Sequence, residues 1–139
     1  MAKPTRHAVS VIIHNSNGQT LFALRSPHKT SYPLVWSLPS HYVAEDETPE
    51  DTVARIGRHK LGVKLALVRL VNEGYGDRTD FRLFMHDYEA RITEGSPNTA
   101  SDDYVELKWA EAASFLNSLP VKGECTRLYS EYLAQSKTQ

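Results

Sequence analysis

The chain has 139 residues, 40% of them apolar, and sets 16 lysines and arginines against 17 aspartates and glutamates for a formal charge of −1. That length suits one domain able to bury a core without metal or disulfide staples, and the near-neutral balance excludes nucleic-acid binding driven by net charge alone. The single cysteine, Cys125, has no internal disulfide partner and points to a reducing compartment.

No apolar run approaches the roughly eighteen residues of a membrane span, and the start, MAKPTRHAV, lacks the apolar core of a signal peptide. The expectation is a soluble, cytoplasmic protein with no membrane partner. It forms a single domain over 1–139, with residues 1–6 as a flexible arm.

Residues 7–14 (HAVSVIIH) are rich in β-branched side chains and predict a strand. Asn15-Ser16-Asn17-Gly18 supplies a turn, and 19–24 reads as the returning strand of a hairpin. The segment 25–32 (RSPHKTSY) is a polar, basic loop carrying Arg25, His28 and Lys29. A turn-rich stretch then leads into a helix that organises the chain. Thr48 is a good N-cap, Pro49 suits the first helical position, and Asp51 can complete a capping box. Val53, Ile56 or Gly57, and Leu61 fall at helical spacing, and Gly62 can end the helix in a left-handed conformation.

Downstream, 64–72 predicts a strand ended by a Gly74-Tyr75-Gly76-Asp77 turn, and 80–92 a second long strand. A polar loop, 93–103 (TEGSPNTASDD), precedes the alternating strand 104–109, which turns Val105, Leu107 and Trp109 to one face. Two helices close the chain, 110–119 burying Phe115 and Leu116, and 126–135 burying Leu128, Tyr132 and Leu133. Strands, a helix, more strands and closing helices make an α+β fold of α/β/α layers around a mixed sheet.

The stretch 41–63 resembles the Nudix box of the Nudix (MutT-like) hydrolase family, G-x5-E-x7-R-E-U-x-E-E-x-G-U with U aliphatic. Glu47 falls on the first acid, Arg55 on the arginine, and Gly62-Val63 on the closing pair, while 34–39 (LVWSLP) is similar to the family's lead-in. The departures are His41 for the opening glycine, Ile56 for the acid after the arginine, Gly57 for the aliphatic residue, and His59 and Lys60 for the closing acids. The resemblance implies a sheet sandwiched between helices and a pyrophosphohydrolase of nucleoside diphosphate derivatives that holds Mg²⁺ or Mn²⁺ on its box helix. Positions 56, 59 and 60 share one face of an α-helix. An aliphatic group, an imidazole and an ammonium there replace three carboxylates. At an effective dielectric near 20, each pair of unit charges about 4 Å apart is worth roughly 4 kcal/mol, so the usual metal site is not expected to form and no cofactor is expected.

Several residues remain candidates. Glu47 is the surviving catalytic acid, or a structural partner of Arg55. Asp103, in a loop similar to the family's acidic loop, is a second catalytic candidate. Arg55, Arg58, His59 and Lys60, with Arg25 and Arg78, either bind phosphate directly or are solvated surface charges. Tyr75, Asp80 and Arg82 either line a cleft with Arg78 or solvate a strand edge. In the alternative of a working hydrolase, His41, Glu47 and His59, with Asp103, hold a metal such as Mn²⁺, Mg²⁺ or Zn²⁺.

The leading expectation is a Nudix-fold protein whose metal-dependent hydrolysis is lost or reduced and which binds a nucleotide or other phosphorylated small molecule. A module for protein or RNA interaction that keeps only the fold is the third reading. Nucleic acid is not the expected partner, and the state is monomer or homodimer.

Overall fold

The computed structural model describes residues 3–137. In chain order its elements are β1 (Thr5–Ile13), β2 (Thr20–Arg25), β3 (Trp36–Ser37), β4 (Ser40–Tyr42), α1 (Pro49–Arg55) with a π-helical continuation Ile56–Leu61, β5 (Lys64–Asp77), β6 (Arg82–Glu94), β7 (Tyr104–Ala110), α2 (Ala112–Ser118) and α3 (Glu124–Lys137). A mixed sheet runs β4-β1-β6-β5, with β1 and β6 parallel, and an antiparallel sheet runs β3-β2-β7. No helix among the described residues is long and apolar enough to cross a membrane.

β1 is apolar on both faces because both are covered. Val9, Val11 and Ile13 join Val53, Ile56 and Leu61 in one core, under α1 and its continuation. Ala8 and Ile12 join Leu116, Cys125, Leu128 and Tyr129 in the other, under α2 and α3. The α/β/α layering expected from the sequence is the one that forms.

Four local expectations need correction. The strand begins at Thr5, inside the segment read as a loose arm: Thr5 pairs with Arg82 and Arg6 with Leu83, and Arg6 lies 3.9 Å over the Tyr42 ring. Met1 and Ala2 of that arm lie outside the described residues. The 15–18 turn is present, but it closes no two-stranded hairpin, since β1 and β2 share only the His14–Thr20 bridge. Both hydrogen-bonding edges of β1 are taken by β4 and β6, so β2 pairs with β3 and β7 instead.

The Gly74–Asp77 segment is strand rather than turn, paired through Asp77–Arg82. Reversal waits until Arg78, whose N–H donates to the Phe81 carbonyl. Gly74 serves close packing, because a Cβ there would lie 2.5 Å from Leu128 of α3.

The fourth correction concerns the helix. Its start is as expected, with Thr48 as N-cap, both capping-box bonds to Asp51 made and Pro49 in the first turn. Gly62 closes it at φ +70°. Between them, α-geometry holds only to Arg55, and Ile56–Leu61 widens into a π-helix, a form that recurs at functional sites. Gly57 lets the chain fold back tightly: a Cβ there would sit 2.7 Å from Leu65 Cγ and 2.9 Å from the Val63 carbonyl oxygen. Alanine normally favours a helix over glycine by about 1 kcal/mol. At position 57 the backbone clash wins, and Gly57→Ala should cost about 1–3 kcal/mol. Urea unfolding measures this, and an unchanged midpoint would show that the start of β5 yields freely.

Candidate functional site

Glu47 sits at the end of the loop before α1, and every bond it makes is internal. Arg55 grips it with Nε to Oε2 at 2.7 Å and Nη2 to Oε1 at 2.8 Å. Oε1 also accepts from the Ala44 N–H and the Thr52 hydroxyl, both at 2.9 Å. The Arg55 hydrogen bond, above all, holds the Glu47 carboxyl down at about 2. Arg55 spends its remaining donor capacity on the Tyr42 carbonyl at 2.8 Å and faces His41 Nδ1 at 3.2 Å. This cluster ties the 42–47 loop to the helix: Oε1 accepts three of the four hydrogen bonds and Oε2 accepts one.

Of the three positions that α-geometry would place on one face, two are buried and one faces solvent. Ile56 is fully buried in the core, His59 is exposed, and Lys60 also turns into the protein, 7% exposed. The Lys60 ammonium donates to Asp103 Oδ2, and Lys29 donates to Asp103 Oδ1 at 3.1 Å. Burial lowers the pKa of Lys60, with the Asp103 carboxylate opposing. Burial alone would raise Asp103, but Lys60 and then Lys29 outweigh it and hold that carboxyl well below the usual range.

This ion cluster forms part of the wall of a cavity of about 150 Å³. Arg25, Lys29, Lys60 and Arg78 line it against only two carboxylates, Asp103 and Glu124, while Val35, Leu83 and Met85 give it an apolar side. Arg25 is held by the Ser31 carbonyl, at 3.0 Å from Nε and 2.8 Å from Nη2. The loop achieves this with Tyr32 and Leu34 at φ +50° and +55°, a conformation costly for side chains of that size. Arg78 pairs with Glu124 at 2.8 Å, and its Nε is buried without a partner.

Two further residues complete the walls. His41 also lines the cavity, and its pKa is lowered by burial and then by the Lys60 charge. Tyr104, with its pKa pushed up to about 12 by burial, ties the sheets together by accepting from the Ser40 N–H at 2.9 Å.

The candidates thus divide. Lys60, Asp103, Arg25, Arg78 and His41 meet around one cavity, with Glu47 and Arg55 behind His41. Arg58 faces a separate, more open depression with Gly62, Lys64 and Glu94. Tyr75 and Arg82 lie outside the cavity and stack on each other at 4.3 Å. Tyr32, Tyr104 and Glu124 were not candidates. Glu124 opens α3, and nothing near it in the chain signals a meeting with Arg78, 46 residues away.

Mg²⁺ requires several oxygen ligands in near-octahedral geometry, and these residues do not fit it. Glu47 is held by the Arg55 guanidinium, position 56 is core, and an ammonium paired with Asp103 occupies position 60. His41, Glu47 and His59 do not form a ligand set either. Among the described residues, one group of three potential ligands lies together, His28, Asp102 and Asp103, within 4.8 Å of one another. A cation there would meet the two ammoniums already paired with Asp103.

Comparison with known proteins agrees with the architecture. The family model "NUDIX domain" matches residues 4–129. The chain is 30% identical over 125 residues to isopentenyl-diphosphate Delta-isomerase of Klebsiella pneumoniae, an alignment covering 84% of this chain and 66% of that protein. It therefore spans just under two thirds of that relative's length. The crystal structure of a MutT protein from Methanosarcina mazei superposes with a TM-score of 0.84 at 18% identity, over 99% of both chains. A MutT NUDIX hydrolase from Burkholderia pseudomallei gives 0.72 at 24% identity, over 94% of this chain and 99% of its own. At such identities the structural likenesses speak for the fold alone. The sequence match across nearly the whole described chain goes further, and the chain belongs to the NUDIX domain family.

Proposed function

We propose that this protein binds a phosphorylated small molecule, a nucleotide or another phosphate or diphosphate ester, in the cavity beside Lys60 without a divalent metal. Its pyrophosphohydrolase activity is lost or much reduced. The observation that carries this reading is Lys60: the helix that would present carboxylates to a metal presents a buried ammonium at the wall of a cation-rich cavity. Ammonium and guanidinium groups bind phosphate oxygens directly. The cavity is smaller than the ~300–1,000 Å³ of typical ligand pockets. It therefore encloses the phosphorylated end and a small apolar portion against Leu83 and Met85, while the rest of the ligand extends outward. The protein works in the cytoplasm, as monomer or homodimer, and nucleic acid is not its ligand.

Thermal-shift and calorimetric titrations with inorganic phosphate, pyrophosphate, nucleoside diphosphates and prenyl-type diphosphates, run in EDTA, test the proposal. A shift is expected in the wild type and lost in Lys60→Glu. Incubation of the same compounds with Mg²⁺, Mn²⁺ or Zn²⁺ should release no phosphate. Metal-dependent release would overturn the reading and direct attention to His28, Asp102 and Asp103.

A further inference from the structure

We propose that Asp103 is a built-in stand-in for the ligand's phosphate. Its carboxylate occupies the place between Lys60 and Lys29 that a phosphate takes on binding, so ligand and side chain compete for the same two ammoniums. This rests on the phosphate-binding reading above and adds how that site is regulated.

Burial sets the need for such a group. Lys60 is 7% exposed, and a buried ammonium without an anion is strongly disfavoured. An unliganded site must therefore supply its own counter-ion, and Asp103 does so with both oxygens, Oδ1 to Lys29 and Oδ2 to Lys60. The match is incomplete, because one carboxylate charge serves two ammoniums while Arg25 and Arg78 also face the cavity. A phosphate carries more charge and a third oxygen. It can satisfy both lysines and still reach a guanidinium.

The backbone around Asp103 is anchored independently of its carboxylate. Its carbonyl accepts from the Ser26 N–H at 2.9 Å, the Asp102 carbonyl accepts from the Ser26 hydroxyl, and its own N–H donates to Ser101 Oγ at 3.1 Å. The next residue, Tyr104, begins β7 and pairs with Arg25. The side chain can therefore swing away by rotation about its own bonds while the strand stays in place. When the ligand leaves, the buried Lys60 draws the carboxylate back.

A competitor that fills the site lowers apparent affinity by the fraction of time the site is open. Asp103→Asn keeps the shape and removes the charge, so it should bind inorganic phosphate and pyrophosphate about ten-fold or more tighter than the wild type. It should also be less stable in phosphate-free buffer and regain more stability on phosphate addition. Glu106→Gln removes an exposed carboxylate three residues on and should leave phosphate affinity at the wild-type value, which separates competition from a change in net charge. Where Asp103→Asn alone fails to fold, Asp103→Asn with Lys60→Met removes the buried charge with its partner. That protein should fold and show no response to phosphate.

Calorimetric titration of wild type, Asp103→Asn and Glu106→Gln with inorganic phosphate in EDTA decides the matter. Tighter binding in Asp103→Asn alone supports the stand-in, including the case where the wild type shows no measurable binding. A wild type that binds while Asp103→Asn binds no tighter overturns the stand-in and leaves the phosphate site intact. A phosphate response retained by the double variant also overturns it. Absence of binding in all three proteins overturns the phosphate-binding reading itself.

Discussion

Asp87→Asn should abolish most of the pH dependence of this protein's stability between about pH 4 and pH 8. Asp87 lies on β6 opposite Ser10 of β1 and is fully buried. Ser10 donates to Oδ1 at 2.5 Å, and Oδ2 has no partner. Burial pushes its pKa up from 3.8 to about 8, with the Ser10 bond and the Arg127 charge only partly opposing. Asp87 is therefore a neutral acid at pH 7 in the native state and an ionised one in the unfolded chain.

The direction of the effect follows from proton counting. Between these two pKa values the folded protein binds more protons than the unfolded one, so stability falls as pH rises. The loss is on the order of 1 kcal/mol per pH unit and levels off above the folded value. Asparagine keeps the Ser10 bond and cannot ionise. The variant should lie near wild type below about pH 4 and be several kcal/mol more stable at pH 9, as read by urea unfolding at a series of pH values. Parallel pH profiles for the two proteins would show that Asp87 is already ionised in the fold.

Glu47→Gln is the second large effect, and it separates a structural from a catalytic carboxylate. The neutral amide leaves the half-buried Arg55 guanidinium without its counter-charge and weakens the bonds to Ala44 and Thr52. A hydrogen bond to a charged group is worth about 1.5–3 kcal/mol, and about 2 kcal/mol should be lost at pH 7. Because the native pKa is depressed from 4.5 to about 2, the Glu47 contribution is complete above about pH 4.5. It disappears as the pH falls toward 2, where wild type and variant should converge. Phosphate affinity should barely change, since Glu47 does not line the cavity. A variant of unaltered stability that has lost a hydrolytic activity would show instead that Glu47 works on substrate.

Much of this was legible locally. The capping box at Thr48 and Asp51, Pro49 in the first turn and Gly62 at the end depend on residues within a few positions of one another. So does the Glu47–Arg55 pairing, which spans a single helix start. The long strands also announced themselves through β-branched and aromatic runs. The Gly74–Asp77 segment misled because glycine is both a turn former and the residue that lets a helix lie close on a strand. Only the position of Leu128 chooses between the two.

The basic turn shows the same division. Arg58, His59 and Lys60 are adjacent in sequence and look alike as a run of positive charge. In the fold Arg58 and His59 face solvent, while Lys60 turns inward to Asp103, 43 residues away. Asp87 carried no signal at all, because an aspartate in a strand reads as solvent-facing until β1 and α3 cover it.

By itself the sequence determined the helix with its caps, the Glu47–Arg55 spacing, the α/β/α layering and the lack of carboxylates at 56, 59 and 60. All are set by short-range hydrogen bonding, steric preference and apolar periodicity. The tertiary structure alone decided that Lys60 is buried against Asp103 and Lys29, that Arg25 and Arg78 join them around one cavity, and that Asp87 holds a proton in the core. Desolvation and ion pairing depend on what covers a side chain, and here the covering residues come from distant strands and loops.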